Sequence, residues 1–456
     1  MQSSSARSVV VGPGGRGVVA HVGLHALCLF ADRIGLTDSL AAAVPWRGER
    51  APVHDRGKLL FQQMAVLAGG GESCADIEHL RTQPSLFGAV ASDSTVWRTF
   101  HEITPMTRDA LKAALPEIRR SVWSRSSVTG GDDPVVLDVD ASLVDIHTED
   151  KEGTGPNYKG GFGFHPLFVF AEATGECLAQ MLRPGNANAG TVEDHLRLLD
   201  EAIAQLPNEI SQGHREGDDV SLARREVVIR SDSAGCTVGF LSGCRARNVS
   251  FSVVARRTAQ VEAAIFDAIG IEEVWSPAIR QDGELRAGAA VAELTSLVDL
   301  SAHPDGTRLI VRREPLHPGA QRSLFPSLEF RYWGHYTDRA GDPVTLDADM
   351  RAHAHVEEHI GRLKDSGLLR FPFSNLEANR NWLLLVAAAA DLVRWFQLLC
   401  LDGALASAHP KTLRWSLFHA PGRLVRSARH EIVRVLDAWP AAGDLLGAYR
   451  RIALLT

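Results

Sequence analysis

The chain has 456 residues, 45% of them hydrophobic and 23% charged, which fits about two to four core-forming domains and excludes disordered, collagen-like and disulfide-scaffold classes. Lys plus Arg number 48 and Asp plus Glu 55, a net charge of −7, so any nucleic-acid surface must be a local patch rather than a general polycation. The six cysteines form no C-x-x-C pair, which removes support for a zinc ribbon or redox motif and points to a reducing, cytoplasmic setting.

Residues 1–130 read as a helical N-terminal region. SVVV and VVAHV flank GPGGRG as a hairpin-like entry, and apolar-periodic segments follow: HALCLFADRI, KLLFQQMAVLA, CADIEHLR and STVWRTFHEI, the last after the cap candidates Asp93 and Ser94. Short helices between Gly-rich turns suit a helix-turn-helix-like DNA reader, and a plain bundle equally. Residues 1–60 carry seven Lys/Arg against four Asp/Glu. RSSVTGGDDP at 125–134 is a linker by composition.

Beyond it the pattern turns to strands. PVVLDVDASLVDIH, FGFHPLFVFAEA and CLAQMLR are separated by short gaps, which predicts an antiparallel meander. TVEDHLRLLDEAIAQL predicts an amphipathic helix, REVVIRSD a fourth strand, AGCTVGFLSGCRAR a short helix and VSFSVVAR a fifth strand. This β-β-β-α-β-α-β order over 131–258 is that of an RNase H-like core, a mixed α/β sheet covered by helices. Residues 259–345 interrupt it with short β-like runs and many turn residues, predicting a β-rich insertion. The core resumes over 346–401 with MRAHAHVEEHIGRLKDSG, ending near Gly367, and an apolar helix at 382–401. Asp391 and Arg394 near the middle of that helix would each cost about 2.5–3.5 kcal/mol at a bilayer centre, so it reads as a buried core helix and no membrane span is expected. The tail, 402–456, reads as helical and basic, with eight Lys/Arg against four Asp/Glu; Arg414, Arg423, Arg426 and Arg429 lie in one candidate DNA- or partner-facing stretch.

Three acids fall where such a core could gather them: Asp140 on the first strand, Asp232 at the carboxyl end of the fourth, and Glu357 in the resumed helix. Carboxylates are the ligands that hard divalent cations prefer, and three of them could hold two ions about 3.5–4 Å apart, the arrangement used for phosphoryl transfer. Asp138, two residues earlier and on the same face, rivals Asp140. Lys364 lies seven residues after Glu357, two helical turns, where it could touch a phosphate. Taken singly, each acid is more simply a cap, turn or solvated residue.

Taken together, LDVDASLVDIHTEDKEGTGPNYKGGFGFHPL, RSDSAG and RAHAHVEEHIGRLKDSGLLRFPF with NRNWLLLVAAAADLVRW resemble a DDE transposase of bacterial insertion sequences. The group resembled carries a β-strand insertion in its core, and the match is to the thirteen-eighty insertion-sequence family. The resemblance covers nearly the whole chain. It implies that Asp140, Asp232 and Glu357 are the catalytic, metal-binding triad, served by two Mg²⁺ with Mn²⁺ as substitute, and that Lys364 is the lysine of the family's Tyr-Arg-Glu-Lys signature. The chain departs from that signature: His353 stands where the arginine is expected and Met350 where the tyrosine is, with Arg351 a shifted source of the guanidinium. The spacing of 125 from Asp232 to Glu357 is accounted for by the insertion. The resemblance also implies cut-and-paste transposition through a DNA hairpin, terminal inverted repeats and target DNA as partners, a homodimer in the synaptic complex, and no nucleotide cofactor.

Lys159, Arg183 and Arg230 flank the core strands as candidate phosphate contacts, with plain surface charge the alternative. Trp275 and Trp333 lie in the insertion, where the resemblance implies an aromatic stacking on a flipped base; filling the insertion's own core is the simpler role. Two rival motifs remain. GPGGRG fits G-x-G-x-x-G at Gly12, Gly14 and Gly17 with Asp32 downstream, but no βαβ unit follows it. HVEEH fits the inverted zinc-peptidase motif through His355, Glu358 and His359, with Glu431 a distant third ligand, but leaves Asp140 and Asp232 unexplained. A transposase-derived DNA-binding protein without catalysis is the third alternative.

Overall fold

The computed structural model describes residues 15–46, 52–126, 131, 133–189, 191–316, 330–427 and 430–455. Its N-terminal part is helical: α1 (Val22–Arg33), α2 (Leu36–Ala43), α3 (Arg56–Ala68), α4 (Asp93–Glu102), α5 (Pro105–Ala113) and α6 (Leu115–Trp123). Asp55 caps α3 by accepting from the Lys58 N–H. Ser92, not Asp93 or Ser94, stands at the cap position of α4. Gly12 and Gly14 of the glycine-rich entry and the SVVV run lie outside the described residues.

Among the described residues, the centre of the molecule is a nine-stranded sheet. Its core strands are β1 (Val135–Ala141), β2 (Leu167–Ala171), β3 (Glu176–Met181), β4 (Val227–Ser231) and β5 (Val249–Val254). β2 and β3 follow β1 as an antiparallel meander, while β4 pairs parallel with β1 and β5 parallel with β4. The spatial order β5-β4-β1-β2-β3 with these directions is an RNase H-like core. Helices α7 (Val192–Ile203) and α8 (Val238–Arg245) make the two crossovers that parallel pairing requires. The strands are near-continuous apolar runs because both sheet faces are covered.

The insertion opens with helix α9 (Ala259–Ile269) and then forms β6 (Ser276–Ile279), β7 (Leu285–Glu293), β8 (Arg308–Pro315) and β9 (Phe330–Thr337). These strands do not stand apart. β9 pairs antiparallel with β5, through His335 opposite Val254, so the insertion extends the core sheet from its edge. That pairing covers the unpaired N–H and C=O groups that β5 would otherwise expose.

The chain returns through α10 (Pro343–Arg351), a tight turn, α11 (Val356–Leu363) and a wide turn ended by Gly367, whose φ of 105° suits glycine. Helix α12 (Leu376–Cys400) is long and apolar enough to cross a bilayer, but it is buried inside the protein, against β3 and α3. Its Asp391 accepts from the Cys177 N–H and from Arg119, so the polar group that counted against a membrane span is bonded within the core. The tail differs from its helical reading. A hairpin, β10 (Gly422–Ser427) and β11 (His430–Val435), precedes the last helix, and β10 pairs with the short strand Val18–Val19. The RLVRSARHEIVRV run carries the β-branched residues Val425, Ile432, Val433 and Val435, a signal that its basic residues obscured.

Candidate active site

The register of β1 and β4 positions the two aspartates. Asp138 pairs with Arg230 and Val139 with Ser231. One residue on, Asp140 on β1 and Asp232 directly after β4 stand at the carboxyl ends of adjacent parallel strands, about 4.8 Å apart in the pairing direction. Glu357 sits in the first turn of α11, which packs across β1. Burial lifts the Asp140 carboxyl to about 6, against its bond from the Ala141 N–H; the charges of Asp232 and Glu357 push it further up and His353 opposes them. The three carboxylates therefore share one field. Asp232 and Glu357 are exposed, and Asp232 accepts from the Ala234 N–H at 2.9 Å.

Among the described residues, no three His, Cys, Asp or Glu side chains close tightly enough to hold an ion, these three included. Their chemistry nonetheless suits a divalent cation: an oxygen-only set of three carboxylates, with exposed side chains on two of the three.

Asp138 is not a rival for this role. It is fully buried and clamped by both arms of the Arg230 guanidinium at 2.8 and 2.7 Å, with His353 Nδ1 at 2.8 Å. Burial pushes its pKa up, but these bonds outweigh burial and hold it below the ordinary value. Arg230 and His353 are thereby corrected: both are buried in this clamp, and Arg230 also donates to the Asp349 carbonyl, so neither faces DNA. Arg351 is corrected too. It is bonded to the Ile279 carbonyl and lies 3.2 Å from Asp347, which ties α10 to the insertion. Trp275 is buried and donates to the Ala268 carbonyl, the core-filling role.

Some of the other expected contacts are at least partly open. Lys364 is half-buried just after α11. Lys159 is exposed at the tip of the Gly155–Phe164 hairpin, its ammonium 5.7 Å from the ring centre of the exposed Tyr158. Trp333 is 44% exposed in a cleft of about 510 Å³ with Arg256, Arg257, Arg331 and Ser233, the neighbour of Asp232. Arg183 is buried, a different setting from a surface cation. In the tail, Arg414 donates to the Ala68 and Leu67 carbonyls and is structural; Arg423 and Arg426 are exposed on the hairpin, and Arg429 lies outside the described residues.

His165 joins the site without having been expected there. It is buried in the field of Asp232 and Arg183, its ring 6.3 Å from Tyr158, and its Nδ1 has no partner. Its only signal in the sequence is its place in FGFHPL, between two strands.

The peptidase arrangement does not form. His355 is exposed beside Glu172, His359 packs on Phe170, and Glu358 binds Arg362. Glu431 pairs with Arg426 on the hairpin.

The model of the family described as transposase DDE domain, group 1, matches residues 1–456. The chain belongs to that transposase family. Among solved structures, the transposase is similar to a piggyBac transposase synaptic complex with hairpin DNA, at 11% identity and a TM-score of 0.40, over 89% of this chain and 83% of that one. No curated protein matches it.

Proposed function

We propose that this transposase moves a bacterial insertion sequence of the thirteen-eighty group by cut-and-paste, using Asp140, Asp232 and Glu357 as its catalytic acids. The observation that carries the reading is the meeting of Asp140 and Asp232 on adjacent parallel strand ends within the field of Glu357. Two Mg²⁺ ions, or Mn²⁺, held by these three carboxylates would supply the electrostatic stabilisation of attacking and leaving oxygens in phosphoryl transfer.

In this reading water attacks phosphorus at the element end and the bond to the 3′-oxygen breaks. The freed 3′-hydroxyl attacks the opposite strand to give a hairpin, which is reopened before the ends join target DNA. The chain's own residues bind and orient the strands. Lys364 and Lys159 contact phosphates, and Arg256, Arg257 and Arg331 neutralise the backbone beside the cut. The exposed face of Trp333 accepts an unpaired base, a contact worth about 1–3 kcal/mol. No side-chain nucleophile is needed. The partners are the terminal inverted repeats and target DNA, with a homodimer joining two ends, in the bacterial cytoplasm on the nucleoid.

The alternative of a DNA-binding protein without catalysis has one observation in its favour, that the three carboxylates stand open rather than closed on a point. A supercoiled donor plasmid carrying the gene with its own flanks separates the two. With Mg²⁺, the wild type is expected to excise the element and Asp232→Asn to fail; equal behaviour of the two would reject the assigned chemistry.

A further inference from the structure

A second basic groove lies on the other flank of the candidate site. It has a volume of about 340 Å³ and is walled by α5, the residues after β3, α7 and the start of α12. Arg108, Lys112, Arg183, Arg197 and Arg380 line it. Three carboxylates answer these five cations: Glu201 accepts from Lys112 and Arg197, Glu377 from Arg108 and Arg380, and Asp194 from Arg183. The groove keeps an excess of two positive charges in a chain whose net charge is −7.

Arg183 adds a buried cation to the groove wall. Its side chain is 4% exposed and anchored through the His165 and Asn188 carbonyls and Asp194. Its second terminal nitrogen, Nη2, is buried without a partner. An unmet donor of this kind is unfavourable, more so when charged, and an anionic oxygen in the groove would relieve it. Arg197 and Arg380 are 69% and 41% exposed, so their side chains can leave their carboxylates for a ligand at small cost.

Position selects the ligand. Gln180 pairs with Phe168 and Phe168 with Asp140, so the end of β3 lies at the same rim of the sheet as the two aspartates. The cleft holding Trp333 opens at that rim too, beyond β5. From β9 to β3 is about five strand steps, roughly 24 Å at about 4.8 Å each. That matches about seven base pairs of duplex at about 3.4 Å per pair.

We propose that the groove of Arg108, Lys112, Arg183, Arg197 and Arg380 binds the DNA phosphodiester backbone about three base pairs from the cut, two strand steps of about 4.8 Å from Asp140, clamping it between the N-terminal helices and the catalytic core. The inference rests on the reading of the protein as a DNA-cutting transposase and adds residues and a path to it.

The test is Arg197→Ala with Arg380→Ala, two exposed positions outside the catalytic acids. Binding of a labelled duplex carrying the element end is followed by fluorescence anisotropy across a salt series. The double variant is expected to bind at least about tenfold more weakly, with the slope of log K against log salt reduced by about 0.9 for each phosphate no longer neutralised. Its melting temperature should match the wild type. A wild type that binds and cuts DNA, with a double variant unchanged in affinity and slope, overturns the groove alone. A wild type without salt-dependent DNA binding overturns the transposase reading and the groove together. Inorganic phosphate is titrated as a second arm: protection of both proteins alike, with no change in duplex affinity, would mean an anion pocket that DNA does not use and would also overturn the proposal.

Discussion

Asp138 and Asp140 lie two residues apart on one strand and one face, yet they sit in opposite electrostatic settings. Around Asp138 the fold supplies a guanidinium fork and an imidazole, and the carboxylate is held ionised in the interior. Around Asp140 burial is answered by one backbone N–H and the His353 imidazole, two further acids stand nearby, and burial with their charge raises its proton affinity. The fold thus neutralises one carboxylate with buried partners and leaves its neighbour beside two further acids.

The largest effects should come from breaking that division at the rim. Asp140→Asn or Asp232→Asn is expected to lower plasmid cleavage about a thousandfold or more, since each removes charge that a metal-assisted transfer depends on by several kcal/mol. Neither should lower the melting temperature, because each relieves repulsion. The inner layer should respond the other way. Asp138→Ala strands the Arg230 charge in the core and is expected to cost about 3–5 kcal/mol in a denaturant titration, with activity falling only as the protein unfolds.

A second buried cluster sharpens the contrast. Arg119 lies between Glu176 and Asp391 at 2.8 and 3.1 Å, one cation for two acids, joining the N-terminal helices to β3 and α12. Burial lifts the Asp391 carboxyl to about 8; the Glu176 charge adds to this, and the Arg119 interactions oppose it. The folded protein thus holds a proton that the unfolded chain has released at neutral pH. Stability contributed by this site is fully present at acidic pH and declines as the pH rises through neutral toward about 8. Thermal melts from about pH 6 to about pH 9 should show the decline, and Asp391→Asn should flatten it.

The smallest effect separates the two tryptophans of the insertion. Trp333→Ala should weaken binding of an unpaired DNA end by about 1–3 kcal/mol and leave stability within about 0.5 kcal/mol. Trp275→Ala should do the reverse, because its ring is buried and its N–H is bonded to Ala268.

Much of this was legible in the chain. The β-β-β-α-β-α-β order is carried by local periodicity, and the RNase H-like sheet follows from it once the crossovers are counted. The insertion was legible as strands but not as an extension of the same sheet, because the pairing of β9 with β5 joins residues about 80 apart and leaves no local mark. Arg230, His353 and Arg351 were misread for one reason: a cation on a strand or helix near a proposed site looks alike in sequence whether its partner is a phosphate or a buried carboxylate. Arg230 faces Asp138 only through the parallel register, and Arg351 meets the Ile279 carbonyl only after the insertion folds back. The hairpin at 422–435 was hidden by arginines that suit a solvated helix face equally well.

The central question is whether Asp140, Asp232 and Glu357 close around a divalent cation when DNA is present. Electron paramagnetic resonance of Mn²⁺ added to the protein bound to its own end duplex reads this directly. Tightly bound Mn²⁺ is expected in the wild type, and its loss in Asp140→Asn and in Asp232→Asn. Equal Mn²⁺ binding by all three proteins would contradict the assignment of these carboxylates.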